Sequence, residues 1–423
     1  MRALSEQAPT LSESLYGPIA RRRARHAVRW SLLLVPLVLV VAAVAVQLLR
    51  PVPRPVFHPA ITASVTLPGT APVLPWPASG SSALAMLGGG TIGSAGPAVP
   101  VPVAGLAKVM TAYVVLSDHP MAAGADGAAI TVSPEAVAAY QAERADQEST
   151  VPLTAGATLT ERQGLEGLLV ASGNDMAVLL AQWDAGSTAA FVAKMNAQAR
   201  VLGMTKTRFT DPSGLDAGTV STPQDLVRLA AAAMTLPAFG PIVDMTDVTL
   251  PGAGTSYNLD YDLGRGGIVG IKTGASSAAG GCFLFAATRS VAGQQVTLVG
   301  AVLAQHGTPE TAAAVDAAAK LVDAAFGAVG PRALTGPGQS AGMVTTAWGS
   351  TAPAGTADGP TVVAPAGLVA PARLVVGAPP ASFATGDRLG VLRVTVGGHT
   401  YTVAVTALQA LDGPTLSWRL LHG

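Results

Sequence analysis

The chain has 423 residues, more than one ordinary core of about 100 to 200 residues needs, so two domains or one large domain with tails are expected. Charged residues are 12% and hydrophobic residues 49%, which excludes a wholly disordered chain, and a net charge of zero with 4% aromatics excludes recruitment to nucleic acid by charge and stacking. The single cysteine, Cys282, excludes an internal disulfide and a cysteine zinc site, and the six histidines are too scattered for a metal cluster, so no metal is expected.

Residues 1–30 carry Arg21, Arg22, Arg23, Arg25 and Arg29 and read as a basic cytoplasmic tail facing anionic lipid headgroups. Residues 31–49 are uncharged and apolar, close to the roughly 20 residues that span a bilayer as a helix. By the positive-inside rule this anchor leaves everything after residue 50 on the extracytoplasmic side: a single-pass protein of the cell membrane. A cleavable signal peptide ending near Ala43-Val44-Ala45 is the rival reading, disfavoured because the apolar run is longer than the 7–15 residues of a signal core. Eight prolines between Pro51 and Pro77 make residues 50–80 a semi-rigid spacer that lifts the next domain off the membrane.

A domain over 81–330 opens with a hairpin, Ser81–Met86 and Thr91–Ser94 around Gly88-Gly89-Gly90. Helix starts follow at Thr160 with Gln163, at Thr222-Pro223 and at Thr308-Pro309, the last opening an Ala-rich helix over 309–326. Between the last two lie strand-like runs at 267–273, 281–287 and 295–303. Strands, helices, strands and a closing helix predict an α+β domain in which helices flank an antiparallel sheet. Residues 331–360 are aperiodic and rich in Gly, Ala, Thr, Ser and Pro, and read as a linker. Residues 361–423 read as a small β domain, with a hairpin formed by 389–396 and 399–407 around Gly397-Gly398.

Lysine is scarce: Lys108, Lys194, Lys206, Lys272 and Lys320 are the only five. Lys194, Lys206 and Lys320 read as solvated surface groups, and Cys282 as a small buried hydrophobe. Lys272-Thr273-Gly274 ends a strand-like run, where an amine, a hydroxyl and an approachable backbone suit a carboxylate. Ser172-Gly173-Asn174 follows the apolar run Leu168-Leu169-Val170; alone, it reads equally well as a turn.

Together, in this order and about 100 residues apart, these tripeptides match the second and third parts of the SxxK, SDN, KTG signature of serine β-lactamases and penicillin-binding proteins. With Lys108-Val109-Met110-Thr111, Asp211-Pro212-Ser213-Gly214-Leu215 and Ala275, they make this region resemble the D-alanyl-D-alanine carboxypeptidase family of low-molecular-mass penicillin-binding proteins. The tail β domain is a looser match to that family's C-terminal module.

The resemblance implies a β-lactamase-like fold, a place in peptidoglycan metabolism, the D-Ala-D-Ala end of a stem peptide or a β-lactam as ligand, and no cofactor. It implies Lys108 as the base, Ser172 as the second-motif hydroxyl, and Asn174 as a substrate amide contact. Lys272 and Thr273 would receive a carboxylate beside Gly274, and the backbone amides of Gly105 and Ala275 would form the oxyanion hole. One departure stands out: the nucleophilic serine belongs three residues before the motif lysine, and that position is Gly105. Three readings stay open: an active peptidase using another hydroxyl such as Ser172, a non-catalytic binder of D-Ala-D-Ala termini, or a sequence peculiarity in an otherwise active member.

Overall fold

The computed structural model describes residues 32–422 except residues 62 and 261. The Arg21–Arg29 cluster lies outside the described residues. The apolar segment forms a helix over Leu32–Leu49 with mean hydropathy 2.9 and no burial against the rest of the protein, long and apolar enough to cross a membrane.

The architecture is α+β, with every strand pairing antiparallel. A twelve-strand sheet runs through the molecule, eleven strands in one hydrogen-bonded path and Ser64–Thr66 off it. Its peptidase-side half is ordered Gly90–Ala95, Ser81–Met86, Gln294–Gln305, Gly280–Val291, Ile268–Ser276. Two-residue alternation lets this half feed two cores at once. Cys282, Leu284 and Ala286 face a core built with the helices Ala107–Asp118, Glu161–Leu169, Asn174–Ala185 and Pro223–Ala233. Phe283, Phe285 and Ala287 face a second core shared with the helix Glu310–Ala328 and the C-terminal strands. Cys282 is thus a packing residue, and burial pushes its thiol up to about 11, which leaves it unreactive.

Local chemistry sets the helix starts. Thr160 and Gln163 form a reciprocal capping box, and the Thr222 hydroxyl accepts the Asp225 amide with Pro223 at the first helical position. The last large helix begins one residue later than Thr308-Pro309 suggests, at Glu310, with Pro309 as its extended cap. The helix Ala107–Asp118 runs through the centre, with nine of its residues buried, including Lys108.

Two expectations are corrected. Residues 331–360 are not an aperiodic linker: Ser340–Thr345 and Thr351–Thr356 are strands, and Val329–Ala333 pairs with Thr361–Pro365. Nor is 50–80 only a spacer, because Val56–Pro59 pairs with Ser340–Thr345 and Ser64–Thr66 with Val369–Val376. The strands of 50–80 find partners almost 300 residues away, which local composition does not encode, whereas Ser340–Thr345 and Thr351–Thr356 also pair with each other as a local hairpin. The hairpin at 388–407 forms as expected, and its turn donates the Gly398 amide to the Gly88 carbonyl of the first hairpin at 2.8 Å.

Candidate active site

A cleft of about 350 Å³ opens where the central helix, the Ser172 turn and the strand Ile268–Ser276 meet. Gly105, Lys108, Ser172, Asn174, Thr273, Gly274 and Ala275 all line it, so residues from three distant parts of the sequence converge. Lys272 does not line the open cleft. Its side chain is buried in the wall behind, 2% exposed.

The helix side begins with a 3-10 turn, Ala104–Leu106, leading directly into Ala107–Asp118. Lys108 therefore sits one turn beyond Gly105, on the same face. Its Nζ donates to Asn174 Oδ1 at 2.6 Å and to Ser172 Oγ at 3.4 Å. Gly105 itself has no strained backbone. A Cβ built there would lie 3.4 Å from the Thr273 carbonyl oxygen and 3.6 Å from Lys108 Nζ, ordinary contacts that leave room for a side chain. Two other residues are strained: Ala104 (φ 46°) and Ser172 (φ 61°) occupy the left-handed region without being glycine. Such strain costs about 1–3 kcal/mol per residue and persists only where surrounding structure imposes it.

Part of that surrounding structure is the 211–219 loop. Asp211 Oδ2 accepts the amides of Ser213 (3.1 Å), Gly214 (2.7 Å) and Leu215 (2.9 Å), while Oδ1 accepts Thr219 Oγ1 (2.6 Å). This holds Gly214, at φ 82°, so close to Ala104 that any Cβ would collide with the Ala104 carbonyl. On the strand side, Gly274 plays the matching part: a Cβ there would come within 2.7 Å of the Gly105 nitrogen. Glycine is what lets this strand approach the helix turn.

The electrostatics are those of a dry site. Burial lowers Lys108 to about 8, with Glu143, Asp211, Asp175 and Glu148 pulling it partly back up. Burial and then the Lys108 charge lower Lys272 to about 7, opposed by Asp260. Burial raises Glu143 to about 7, Asp175 to about 6 and Asp260 to about 6. Thr273 Oγ1 is buried and, among the described residues, has no hydrogen-bond partner. An unpaired buried hydroxyl costs about 1–3 kcal/mol, so a ligand acceptor there would relieve a standing penalty. Chemically, the cleft offers an amine near neutrality, hydroxyls, a carboxamide and the unpaired hydroxyl of Thr273 within its strand. No group of three or more metal-ligating side chains occurs among the described residues.

Sequence reasoning did not find Glu143, on the helix Pro134–Ala145, or Asp175, whose carboxylate accepts the Val151 amide at 3.1 Å. Asp175 directly follows Asn174 and could have been found from that adjacency; Glu143 carries no local signal. Lys194 is an ion-pair partner of Asp118 and Asp184, consistent with a surface role.

This fold, with its lysine and Ser-x-Asn groups facing a Lys-Thr-Gly strand across a cleft, defines the penicillin-recognising class of proteins. The sequence profile of the D-alanyl-D-alanine carboxypeptidase family matches residues 88–306, and the chain belongs to that family. A D-alanyl-D-alanine carboxypeptidase of Mycobacterium tuberculosis is 43% identical over 141 residues, covering 32% of this chain and 48% of the relative. One from a Streptomyces species is 33% identical over 219 residues, covering 48% of this chain and 72% of the relative. The chain thus spans about half of the first relative and most of the second. Among solved structures, a penicillin-binding protein homologue from Mycobacterium tuberculosis superposes with TM-score 0.52 at 33% identity, over 64% of this chain and 96% of the other. Penicillin-binding protein 5 from Haemophilus influenzae, at 21% identity and TM-score 0.57, shares the fold over 81% of this chain and 100% of its own.

Proposed function

We propose that this is a membrane-anchored, D-alanyl-D-alanine carboxypeptidase-like protein that binds the D-Ala-D-Ala end of peptidoglycan stem peptides but has lost the acylation step. The observation that carries it is Gly105. Acyl transfer in the family requires a hydroxyl one turn before the motif lysine, and glycine supplies none. The rest of the machinery is of kinds a side-chain deletion leaves intact. Lys108 remains bonded to Asn174 and Ser172, the backbone amides of Gly105 and Ala275 remain main chain, and Thr273 keeps an unpaired hydroxyl. Lys272, held near 7 by burial, would take up a proton as a ligand carboxylate arrives.

Ser172 is the rival nucleophile, since its Oγ lies 3.4 Å from Lys108 Nζ. Its Oγ departs from a different element than the 105 position, and a misplacement of about 1 Å costs on the order of 10²-fold in rate. The helix Leu32–Leu49, followed by a chain that folds as one body with the peptidase domain, supports the anchor and an extracytoplasmic site.

The test is fluorescent-penicillin labelling of the full chain. Wild type is expected to show no covalent band and Gly105→Ser to show one, because a Cβ at 105 meets only ordinary contacts and Lys108 is within reach. Stoichiometric labelling of the wild type would contradict the loss of acylation.

A further inference from the structure

A second cavity, of about 650 Å³, shares no residue with the Lys108 cleft. It lies where the strand Gln294–Gln305 of the peptidase-side sheet meets the C-terminal hairpin, Arg388–Val396 and His399–Ala407, and the strand Thr361–Pro365. The turn of that hairpin is pinned. Gly397 and Gly398 take positive φ (60° and 78°), the Gly398 amide is bonded to the Gly88 carbonyl, and a Cβ on Gly397 would lie 3.4 Å from the Met86 methyl carbon. Chain on both sides of the gap is thus held at its rim, while the space between Gln294-Gln295 and His399 remains.

The floor of the cavity is apolar: Met86, Val296 and Val396 are all buried. Its rim is polar, with Gln294, Gln295 and His399 exposed and Tyr401 half-buried. His399 and Tyr401 are two residues apart on one strand and therefore share a face. The Thr400 hydroxyl between them is taken by Thr395 at 3.1 Å, whereas the two carboxamides, the imidazole and the phenol have no partner among the described residues. No Asp, Glu, Lys or Arg lines the cavity.

This lining narrows the ligand. A charged group would be desolvated there without a counter-charge, and a wholly apolar one would strip water from four polar groups and return nothing. A neutral molecule with one apolar face and an edge of hydroxyls and amides fits both surfaces. Each carboxamide offers two donors and an acceptor, and tyrosine presents an apolar ring with a polar tip. The volume falls within the roughly 300–1,000 Å³ of ligand pockets.

We propose that this cavity is a second binding site, for neutral N-acetylated sugars of a glycan strand, with the acetamido methyl on the Met86–Val296 floor and the hydroxyls on Gln294, Gln295 and His399. The choice of glycan rests on the proposed function, because stem peptides are carried on such strands and their attachment as amides leaves the sugars uncharged. The chain would then hold a strand through its sugars at one site and a stem peptide at the other.

The test uses the full chain in nanodiscs with tri-N-acetylchitotriose as the probe. Saturation-transfer NMR should show the acetamido methyl protons most strongly saturated, with maltotriose, which lacks them, at least about fivefold weaker. The paired substitution Gln295→Ala and His399→Ala lies at exposed positions, so the melting temperature should hold while sugar affinity falls about fivefold or more. Gln294→Ala alone should weaken the sugar about twofold, and all variants should keep their affinity for a D-Ala-D-Ala peptide within about twofold. No transfer to the chitotriose in a protein that binds the peptide overturns this site and leaves the proposed function standing; loss of peptide binding alone does the reverse. Equal transfer to maltotriose, unchanged sugar affinity in the variants, or displacement of the sugar by the peptide also overturns it.

Discussion

The two walls of the cleft keep their chemistry in different places. On the helix side, reactivity would depend on one side-chain oxygen at position 105, and glycine removes it while Lys108 stays bonded to Ser172 and to Asn174. On the strand side, the proposed recognition would depend on Lys272, the unpaired Thr273 hydroxyl and a backbone brought close by Gly274. On the proposed reading, bond-making and binding are separable here: one substitution would silence the first wall without touching the second.

The largest effect expected from breaking this contrast is at Lys272. Lys272→Ala removes the strand wall's cation, and a hydrogen bond to a charged group contributes about 1.5–3 kcal/mol. Affinity for a D-Ala-D-Ala peptide should fall by about 10- to 150-fold in calorimetry. Gly105→Ser, on the other wall, should leave that affinity within about twofold, because its Cβ meets only ordinary contacts. Equal absence of binding in wild type and Lys272→Ala would remove the binding role.

The pH dependence comes next. Lys272 is lowered to about 7, so above that pH the free protein holds it neutral, and carboxylate binding must recharge it. Affinity should therefore weaken as pH rises past about 7, approaching tenfold per unit once Lys272 is mostly neutral. Calorimetry in buffers of different ionisation enthalpy at pH 8 should show net proton uptake. Proton release would place the charge switch on a different group.

The smallest expected effect tests the contact between the walls. Gly274→Ala would push against the Gly105 nitrogen from 2.7 Å, and overpacking of this kind costs about 1–3 kcal/mol. Thermal unfolding should show the loss, with ligand affinity reduced as the strand moves off the helix turn. An unchanged melting temperature would mean the strand yields freely.

Features encoded by neighbours along the chain were legible beforehand. The Thr160–Gln163 box, the hairpins at Gly88-Gly89 and Gly397-Gly398, and the three late strands all form near their expected bounds. The motif residues were legible through their resemblance, and Gly105, Lys108, Ser172, Asn174, Thr273, Gly274 and Ala275 do share one cleft. Features made by distant pairing were not. Val56–Pro59 is a strand because Thr345 and its neighbours sit beside it, and nothing in a proline-rich stretch announces that partner. Glu143 likewise bears on Lys108 only because the helix Pro134–Ala145 folds back against Asn174–Ala185. Lys272, read as a carboxylate receiver, is 2% exposed and does not line the open cleft, a burial that the tripeptide itself does not announce.

The most direct measurement is intact-mass and peptide-mapping spectrometry of the full chain after incubation with benzylpenicillin. Unmodified wild type, alongside a Gly105→Ser variant carrying one penicilloyl group on the peptide that contains position 105, is the predicted result. A stoichiometric adduct on wild type, above all on the peptide containing Ser172, would contradict it.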